Sequence, residues 1–221
     1  GTKPKKPLRD DWAQPGNGRG FSEDSILLAG FLPKRSGGIA ADLGAGSGVV
    51  GLEALVSGRL KGLGTLVLVE ILAAFEPFLA ANVARAESLL GDRDRPAIRT
   101  LIGDHRELAP EDLGGPADLL VSNPPYFPTK SHRVGKGPFG STRHETDGTL
   151  ADLIGTAERL LKPGGTFSLC LPRERTGELL EALRETTLEP SLFVFPPRKG
   201  ARLLLTRLRK RGDPKPDPAS P

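Results

Sequence analysis

The sequence has little of several residue types from which common functional sites are built. Its 221 residues include one cysteine, three histidines, one tryptophan, one tyrosine and no methionine. The single cysteine, Cys170, excludes a disulfide within the chain and suits a reducing compartment. So few histidine and cysteine side chains form no recognisable ligand cluster, and we expect no metal site. No apolar run approaches the length of a membrane span and no signal peptide opens the sequence, which predicts a cytoplasmic protein without a membrane partner.

The net charge is modest, at +4, but basic residues are concentrated near the two ends of the sequence. Residues 1–20 are rich in lysine, proline and glycine and predict a flexible basic segment. We expect one domain over residues 21–209, and a disordered tail over residues 210–221. Near the end of the domain, eight basic residues accompany one acid, Asp213: Arg198, Lys199, Arg202, Arg207, Arg209, Lys210, Arg211 and Lys215. Such clusters are common in solvated tails, and a nucleic-acid partner also requires them.

Short apolar runs alternate with helical stripes along most of the chain. Predicted strands cover residues 39–43, 65–69, 97–102, 119–122, 166–171, 191–195 and 202–208. Predicted helices cover residues 23–31, 49–56, 149–161 and 175–186, and a further long helix follows the second strand and ends near residue 90. This alternation predicts an α/β protein with a mostly parallel seven-stranded sheet and helices on both faces. Since only residues 196–201 separate the last two strands, these should pair antiparallel as a hairpin.

The strongest functional signal is the stretch Asn123-Pro-Pro-Tyr126, directly after the fourth predicted strand. Two prolines cannot continue a strand ladder, so the strand ends here, where open α/β sheets bind ligands. The side chain of Asn123 and the main chain of Pro124 each offer a carbonyl acceptor, and Tyr126 offers a flat ring. Two acceptors beside an aromatic ring suit a planar group that bears an amino group, such as adenine, guanine, cytosine or a carboxamide.

A second signal is a glycine loop between the first strand and the following helix. It contains Gly44, Gly46 and Gly48, which permit close approach of a ligand to the main chain. Glu70, at the end of the next strand, can accept hydrogen bonds from both hydroxyls of a ribose. With Asp42 in front, the loop resembles that of S-adenosylmethionine-dependent enzymes. The resemblance implies this cofactor, with Asp42 near its cationic aminoacyl end and Asp104 at its adenine amino group.

Six motifs extend the resemblance to a particular family. They are Trp12-Ala-Gln-Pro15, Gly20-Phe-Ser-Glu-Asp-Ser-Ile-Leu-Leu-Ala29, Asp42-Leu-Gly-Ala-Gly-Ser-Gly48, Ser122-Asn-Pro-Pro-Tyr-Phe127, Arg143-His-Glu145 and Leu161-Lys-Pro-Gly-Gly165. In this order and spacing, over residues 12–209, the chain resembles the bacterial tRNA(Val) adenine-N6 methyltransferases. The family often has Gly-Thr-Asp where this chain has Ser22-Glu23-Asp24, and the tail after Leu208 is particular to this chain.

The resemblance implies a Rossmann-like class I methyltransferase fold and methylation of an adenine beside the tRNA anticodon. Asn123, next to the cofactor, and Pro124 would accept the two hydrogens of the amino group, while Tyr126 stacks on the base. The loop over residues 127–148 is long enough to be functional. Substrate contacts are expected from the motif and this loop, at Pro125, Phe127, Lys130, Arg133 and Arg143. RNA is the expected partner, and no obligatory protein partner is evident.

Other readings of the Asn-Pro-Pro-Tyr stretch remain open at this point. An rRNA guanine-N2 methyltransferase, a DNA adenine-N6 methyltransferase and a protein-glutamine N5-methyltransferase all act on amino groups of planar substrates. The glutamine enzymes usually carry an added N-terminal helical domain, for which the 20 residues before the first predicted helix leave no room. A non-catalytic RNA-binding protein is a further alternative, against which the intact Asn123, Pro124 and Tyr126 argue.

Overall fold

Seven strands form a single sheet in the order β3-β2-β1-β4-β5-β7-β6. The computed structural model describes residues 12–16, 23–35, 37–91, 95–124, 148–196 and 202–212. The strands are β1 (Ile39–Leu43), β2 (Thr65–Glu70), β3 (Ala97–Ile102), β4 (Ala117–Ser122), β5 (Leu161–Pro172), β6 (Leu188–Val194) and β7 (Leu203–Lys210). The helices are α1 (Glu23–Phe31), α2 (Val49–Val56), α3 (Glu76–Leu90), α4 (Pro110–Leu113), α5 (Leu150–Leu160) and α6 (Thr176–Ala182). Short 3-10 turns cover Ala73–Phe75, His105–Glu107 and Arg173–Arg175.

Six of the seven strands run in the same direction. Parallel pairs join β1 to β2 and β4, β2 to β3, and β4 to β5. Strand β7 runs antiparallel between β5 and β6, which confirms the predicted hairpin of the last two strands. The carboxyl ends of β1 to β6 therefore meet at one side of the sheet, together with the start of β7. This side is called the carboxyl edge below.

The central strands are buried on both faces, as parallel strands between two helical layers must be. In β2, every residue from Leu66 to Glu70 is buried, and β1 and β4 show nearly the same pattern. One apolar cluster packs α1, α2 and α3 on the first face, and a second packs α4, α5 and α6 on the other. Helix α5 begins at a capping box, in which Thr149 and Asp152 exchange hydrogen bonds. Among the described helices, none has the length and apolar character needed to cross a membrane.

Several element boundaries differ from the predicted ones. Strand β5 begins at Leu161, directly after α5, because Leu161 pairs with Ala117 before a bulge and the regular register from Thr166 onward. Residues 162–165, which separate the predicted helix from the predicted strand, therefore lie within β5. Strand β7 extends to Lys210, whose ammonium donates to the carbonyls of Glu158 and Leu161. Lys210, the first residue of the expected disordered tail, is therefore part of the sheet.

The segment over residues 12–16 lies against the domain, although it falls within the predicted flexible segment. Trp12 is 3% exposed, and its indole nitrogen donates to a carboxylate oxygen of Glu53 in α2 at 3.2 Å. The main chain of Ala13 exchanges hydrogen bonds of 2.7 and 2.9 Å with the side chain of Asn82 in α3. Asn82 also donates to the carbonyl of Ser47 at 2.8 Å. One buried amide therefore joins this segment, α3 and the glycine loop.

We expect Asn82→Ala to lower the free energy of unfolding by about 2–3 kcal/mol, because it leaves partially buried groups of Ala13 and Ser47 without their partner. Urea unfolding followed by circular dichroism measures the change. Ser88→Ala on the exposed side of the same helix is the matched control, with an expected change within about 0.5 kcal/mol. Equal effects of the two substitutions would show that the Asn82 amide does not stabilise the fold.

Candidate active site

The described candidate residues come together at the carboxyl edge. The glycine loop follows β1, Glu70 ends β2, Asp104 comes shortly after β3, and Asn123 and Pro124 follow β4. Strand order places β1 between β2 and β4, so the loop lies between Glu70 and Asn123. The remaining candidates lie outside the described residues: Pro125, Tyr126, Phe127, Lys130, Arg133 and Arg143. Across the described ranges, no group of three or more histidine, cysteine or acidic side chains could hold a metal ion.

The three glycines of the loop share a main-chain conformation, and two of them, Gly44 and Gly48, serve different physical purposes. All have positive φ, at 71° for Gly44, 56° for Gly46 and 81° for Gly48, a region that other residues rarely adopt. A β-carbon at Gly44 would meet no atom within 4 Å, so this side of the loop is open for a ligand. A β-carbon at Gly48 would lie 3.1 Å from Leu68 and Leu79 in the core. Gly48 therefore permits α2 to pack onto the sheet, whereas Gly44 leaves open space beside the main chain of the loop.

Glu70 supports the glycine loop from the neighbouring strand. Its carboxylate accepts from the main-chain nitrogens of Gly46, at 2.7 Å, and Leu72, at 2.9 Å. The side chain is buried, and burial raises its pKa above the ordinary value despite these donors. A carboxylate has about four lone-pair sites, so further acceptor capacity remains for hydroxyl groups. Glu70 thus shapes the loop, and its predicted contact with a ribose stays a prediction.

Asp42 lies deeper than Glu70 and contacts the first turn of α2. It is 1% exposed, and its carboxylate accepts from the main-chain nitrogen of Gly51 at 3.0 Å. Burial, with a further contribution from the negative charge of Glu70, raises the pKa of Asp42 to about 7. The observed partner is therefore a helix N-terminus, where a carboxylate is favoured. The predicted contact with the aminoacyl end of a cofactor stays a prediction.

The raised pKa of Asp42 predicts a pH dependence of stability. Between the ordinary value of 3.8 and about 7, the folded protein retains a proton that the unfolded chain has lost. The contribution of Asp42 to the free energy of unfolding should therefore fall as pH rises through this window and stay level above it. Asp42→Asn keeps an acceptor for Gly51 and removes the titration, while Glu70 remains in both proteins. Urea unfolding between pH 4 and 8 measures the difference, and parallel curves for the two proteins would contradict the assignment.

Asp104 is engaged by its own segment. Both of its oxygens contact the guanidinium of Arg106, and one also accepts from the main-chain nitrogen of Arg106 at 2.9 Å. This guanidinium is the largest cause of the lowered pKa of Asp104. The next residue, His105, lies 3.2 Å from the hydroxyl of Thr156 in α5, which fixes this turn against the helix. A hydrogen bond from an adenine amino group to Asp104 stays a prediction.

Asn123 is held by a residue that the sequence pattern did not identify as functional. Its amide nitrogen donates to the hydroxyl of Ser25 in α1 at 3.0 Å. Ser25 is 5% exposed and lies 98 positions earlier in the chain, so no local motif connects the two. The preceding residue, Ser122, donates to the carbonyl of Leu43 at 2.7 Å and ties the end of β4 to the end of β1.

The basic residues near the end of the chain divide between opposite edges of the sheet. Arg202 lies at the carboxyl edge, where its carbonyl accepts from the main chain of Arg173 at 2.8 Å. Arg209 pairs with Thr166 at the other end of β5, six residues from the Pro172–Leu203 pair and thus about 20 Å away. Lys210 and Arg211 are beside Arg209, and Arg211 forms an ion pair with Glu189. Of these described residues, Arg202 is therefore the one on the same edge as Asn123.

Comparisons with known proteins agree with this geometry. No family model matches the chain. A tRNA1(Val) (adenine(37)-N6)-methyltransferase of Porphyromonas gingivalis is 31% identical over 185 residues, which cover 77% of this chain and 66% of the relative. Enzymes of the same name from Bacteroides fragilis and Shewanella putrefaciens are 27% and 28% identical, over 76% and 78% of this chain. The chain belongs to this methyltransferase family. It spans about two thirds of the length of these relatives, 66% for that of Bacteroides fragilis.

Solved structures share the fold of this chain. TrmN from Thermus thermophilus superposes with a TM-score of 0.58 at 21% identity, covering 84% of this chain and 48% of that protein. A predicted O-methyltransferase from Agrobacterium tumefaciens has a TM-score of 0.55 at 24% identity, covering 86% of this chain and 82% of its own. The expected Rossmann-like class I methyltransferase fold, mostly parallel with an antiparallel C-terminal hairpin, is confirmed.

Proposed function

We propose that this chain transfers a methyl group from S-adenosylmethionine to the exocyclic amino nitrogen of a nucleic-acid base, N6 of an adenine in a tRNA anticodon loop. The observation that carries the proposal is the position of Asn123 and Pro124. They end a central strand directly beside the glycine loop. The relatives named for adenine-N6 methylation of tRNA1(Val) support the choice of base and RNA.

The residues around the loop fit the cofactor. Gly44 leaves open space beside the main chain, and Glu70, which is buried against the loop, has acceptor capacity for ribose hydroxyls. Asp104 would accept from the adenine amino group of the cofactor, and Asp42 would balance its cationic aminoacyl end from below the loop. When bound, the cofactor supplies an electrophilic methyl group on a cationic sulfonium.

The amino nitrogen of the target base is a poor nucleophile, because its lone pair is delocalised into the ring. The carbonyls of Asn123 and Pro124 would accept its two N–H groups, which favours a tetrahedral nitrogen and directs the lone pair toward the methyl group. The cofactor, held by the glycine loop and Glu70, would supply its methyl group to this lone pair, and the positive charge of the sulfonium would pass to the new amine. The surplus proton leaves to water, so no side chain needs to act as a strong base.

The residues after Pro124 would hold the RNA. Tyr126 and Phe127 would stack on the target base once it has left its own stack, as in other enzymes that modify bases. Pro125 would restrict the main chain of the motif, while Lys130, Arg133 and Arg143 would contact phosphates. The protein-glutamine alternative uses the same two acceptors but needs no phosphate contacts, and this difference separates the two functions by experiment.

We expect Asn123→Ala to lower methyl transfer by roughly a hundredfold or more, the scale for removing one preorganised polar partner. Affinity for the cofactor, measured by calorimetry, should stay nearly the same. The assay follows labelled methyl transfer to total RNA from a strain that lacks the gene, and nucleoside analysis then identifies the product. N6-methyladenosine supports the proposal, whereas N2-methylguanosine, or labelling only of DNA or of a glutamine peptide, would replace it.

A second prediction concerns the two ends of β7. Arg202 and Arg209 are both exposed, but only Arg202 lies at the carboxyl edge. Arg202→Ala should weaken RNA binding and reduce the slope of log affinity against log salt by about one unit, the value for one phosphate contact. Arg209→Ala is the matched control and should leave both quantities unchanged. The measurement is the affinity for tRNA at several salt concentrations. If Arg209→Ala weakened binding and Arg202→Ala did not, the RNA would lie on the opposite edge of the sheet.

A further inference from the structure

We infer that Ser25 is a positioning residue for Asn123, which turns the amide so that its carbonyl faces the substrate. The inference rests on the proposed function, because the amino group that Asn123 polarises is that of the target base. Ser25 lies in α1, outside the strands that supply the other residues of the site.

The geometry defines the orientation of the amide. The amide nitrogen of Asn123 donates to the Ser25 hydroxyl at 3.0 Å, so this end of the group points toward α1. The carbonyl oxygen is at the other end of the same planar group, so it is not the atom that contacts Ser25. Rotation about the last side-chain bond of asparagine is soft, and the two orientations are similar in shape. A reversed amide would direct N–H groups at the N–H groups of the substrate, and catalysis would stop.

Helix α1 can hold this hydroxyl because both its middle and its end are fixed. Leu28 and Ala29 are fully buried in the core. At the end of the helix, the guanidinium of Arg207 in β7 donates to the carbonyl of Phe31 at 2.7 Å and lies 5.0 Å from the centre of its ring. A cation at this position favours the helix C-terminus, and stacking on the ring adds to the contact. Ser25 is thus presented by a rigid element, as a positioning residue must be.

The main chain of Asn123 is fixed separately. Ser122 is 1% exposed, and its hydroxyl joins β4 to the carbonyl of Leu43 in β1. The strand itself pairs with β1 and β5 on its two sides. Loss of the Ser25 hydroxyl therefore leaves the end of β4 in place and removes one hydrogen bond that orients the amide. This separation predicts an effect on turnover and none on cofactor binding.

Three substitutions test the role. Ser25→Ala should lower kcat about threefold to tenfold, the range that corresponds to one neutral hydrogen bond, with KM for RNA and cofactor affinity unchanged. Ser25→Thr and Ser25→Val add the same bulk and differ in the hydroxyl, so they form a matched pair. Ser25→Thr should stay within about twofold of the wild-type kcat, whereas Ser25→Val should fall with Ser25→Ala. A normal kcat for Ser25→Ala, or equal losses for the matched pair, would overturn the inference.

A double-mutant cycle separates positioning from a general structural effect. If Ser25 acts through Asn123, Ser25→Ala should cause no further loss of kcat in the Asn123→Ala protein. Independent losses that multiply would show that Ser25 acts in some other way. Thermal unfolding of each variant accompanies the assay, so that a loss of folded protein is not read as a loss of turnover.

A substrate-free measurement keeps this inference separate from the proposed function. The side-chain amide signals of Asn123 can be assigned by NMR through their loss in Asn123→Ala. They should shift in Ser25→Ala and Ser25→Val but remain close to wild type in Ser25→Thr. If the wild-type protein methylates no RNA, the proposed function fails while this comparison still decides the contact. If RNA is methylated and the amide signals of Asn123 do not shift in the Ser25 variants, the inference alone fails.

Discussion

The parallel alignment of β1, β2 and β4 is the constraint on which the site depends. Strands buried on both faces are mostly apolar, so polar side chains that can meet a ligand concentrate where each strand ends. Because these strands start in register, their ends also coincide: Leu43 pairs with Val69, and Asp42 pairs with Val121. The glycine loop, Glu70 and Asn123 are neighbours in space for this reason, although up to 79 positions separate Gly44 from Asn123 in the chain.

Two acids at this edge are buried, which is unfavourable for charged groups in the absence of partners. In the hydrogen bonds described, main-chain N–H groups rather than cations offset the cost of burying each carboxylate. Gly51 donates to Asp42, and Gly46 and Leu72 donate to Glu70. These donors exist only when the loop and the first turn of α2 adopt their folded shape. The same contacts therefore hold the acids in place and hold the loop open, so the site is organised before any ligand arrives. Such preorganisation reduces the entropy lost on binding.

The sequence predicted most of the architecture because the relevant signals are local. Runs such as residues 65–69 and the stripe of α5 have the periods of a strand and a helix, and the short link between β6 and β7 allows only a hairpin. The errors arose where long-range pairing decides, as at Leu161, whose strand begins because Ala117 lies opposite. The strand-end acids and Asn123 were identifiable from motifs. Ser25 also lies in one of the motifs, but its contact with Asn123 was not predictable, since the two residues are 98 positions apart. Likewise, the proline-rich surroundings of Trp12 suggested flexibility, whereas Trp12 and Ala13 are held by Glu53 and Asn82 in two other elements.

The docking of Trp12 has a spectroscopic consequence. It is the one tryptophan of the chain, so indole fluorescence originates from a single place. That place is linked to the glycine loop through Ala13, Asn82 and the carbonyl of Ser47. Suppose that docking of this segment strengthens the binding of a ligand to the loop. By thermodynamic linkage, the bound ligand then stabilises the docked segment by the same free energy. The unlabelled protein thus contains its own optical probe of the loop, and emission titrated against a ligand gives the coupling energy between the two sites.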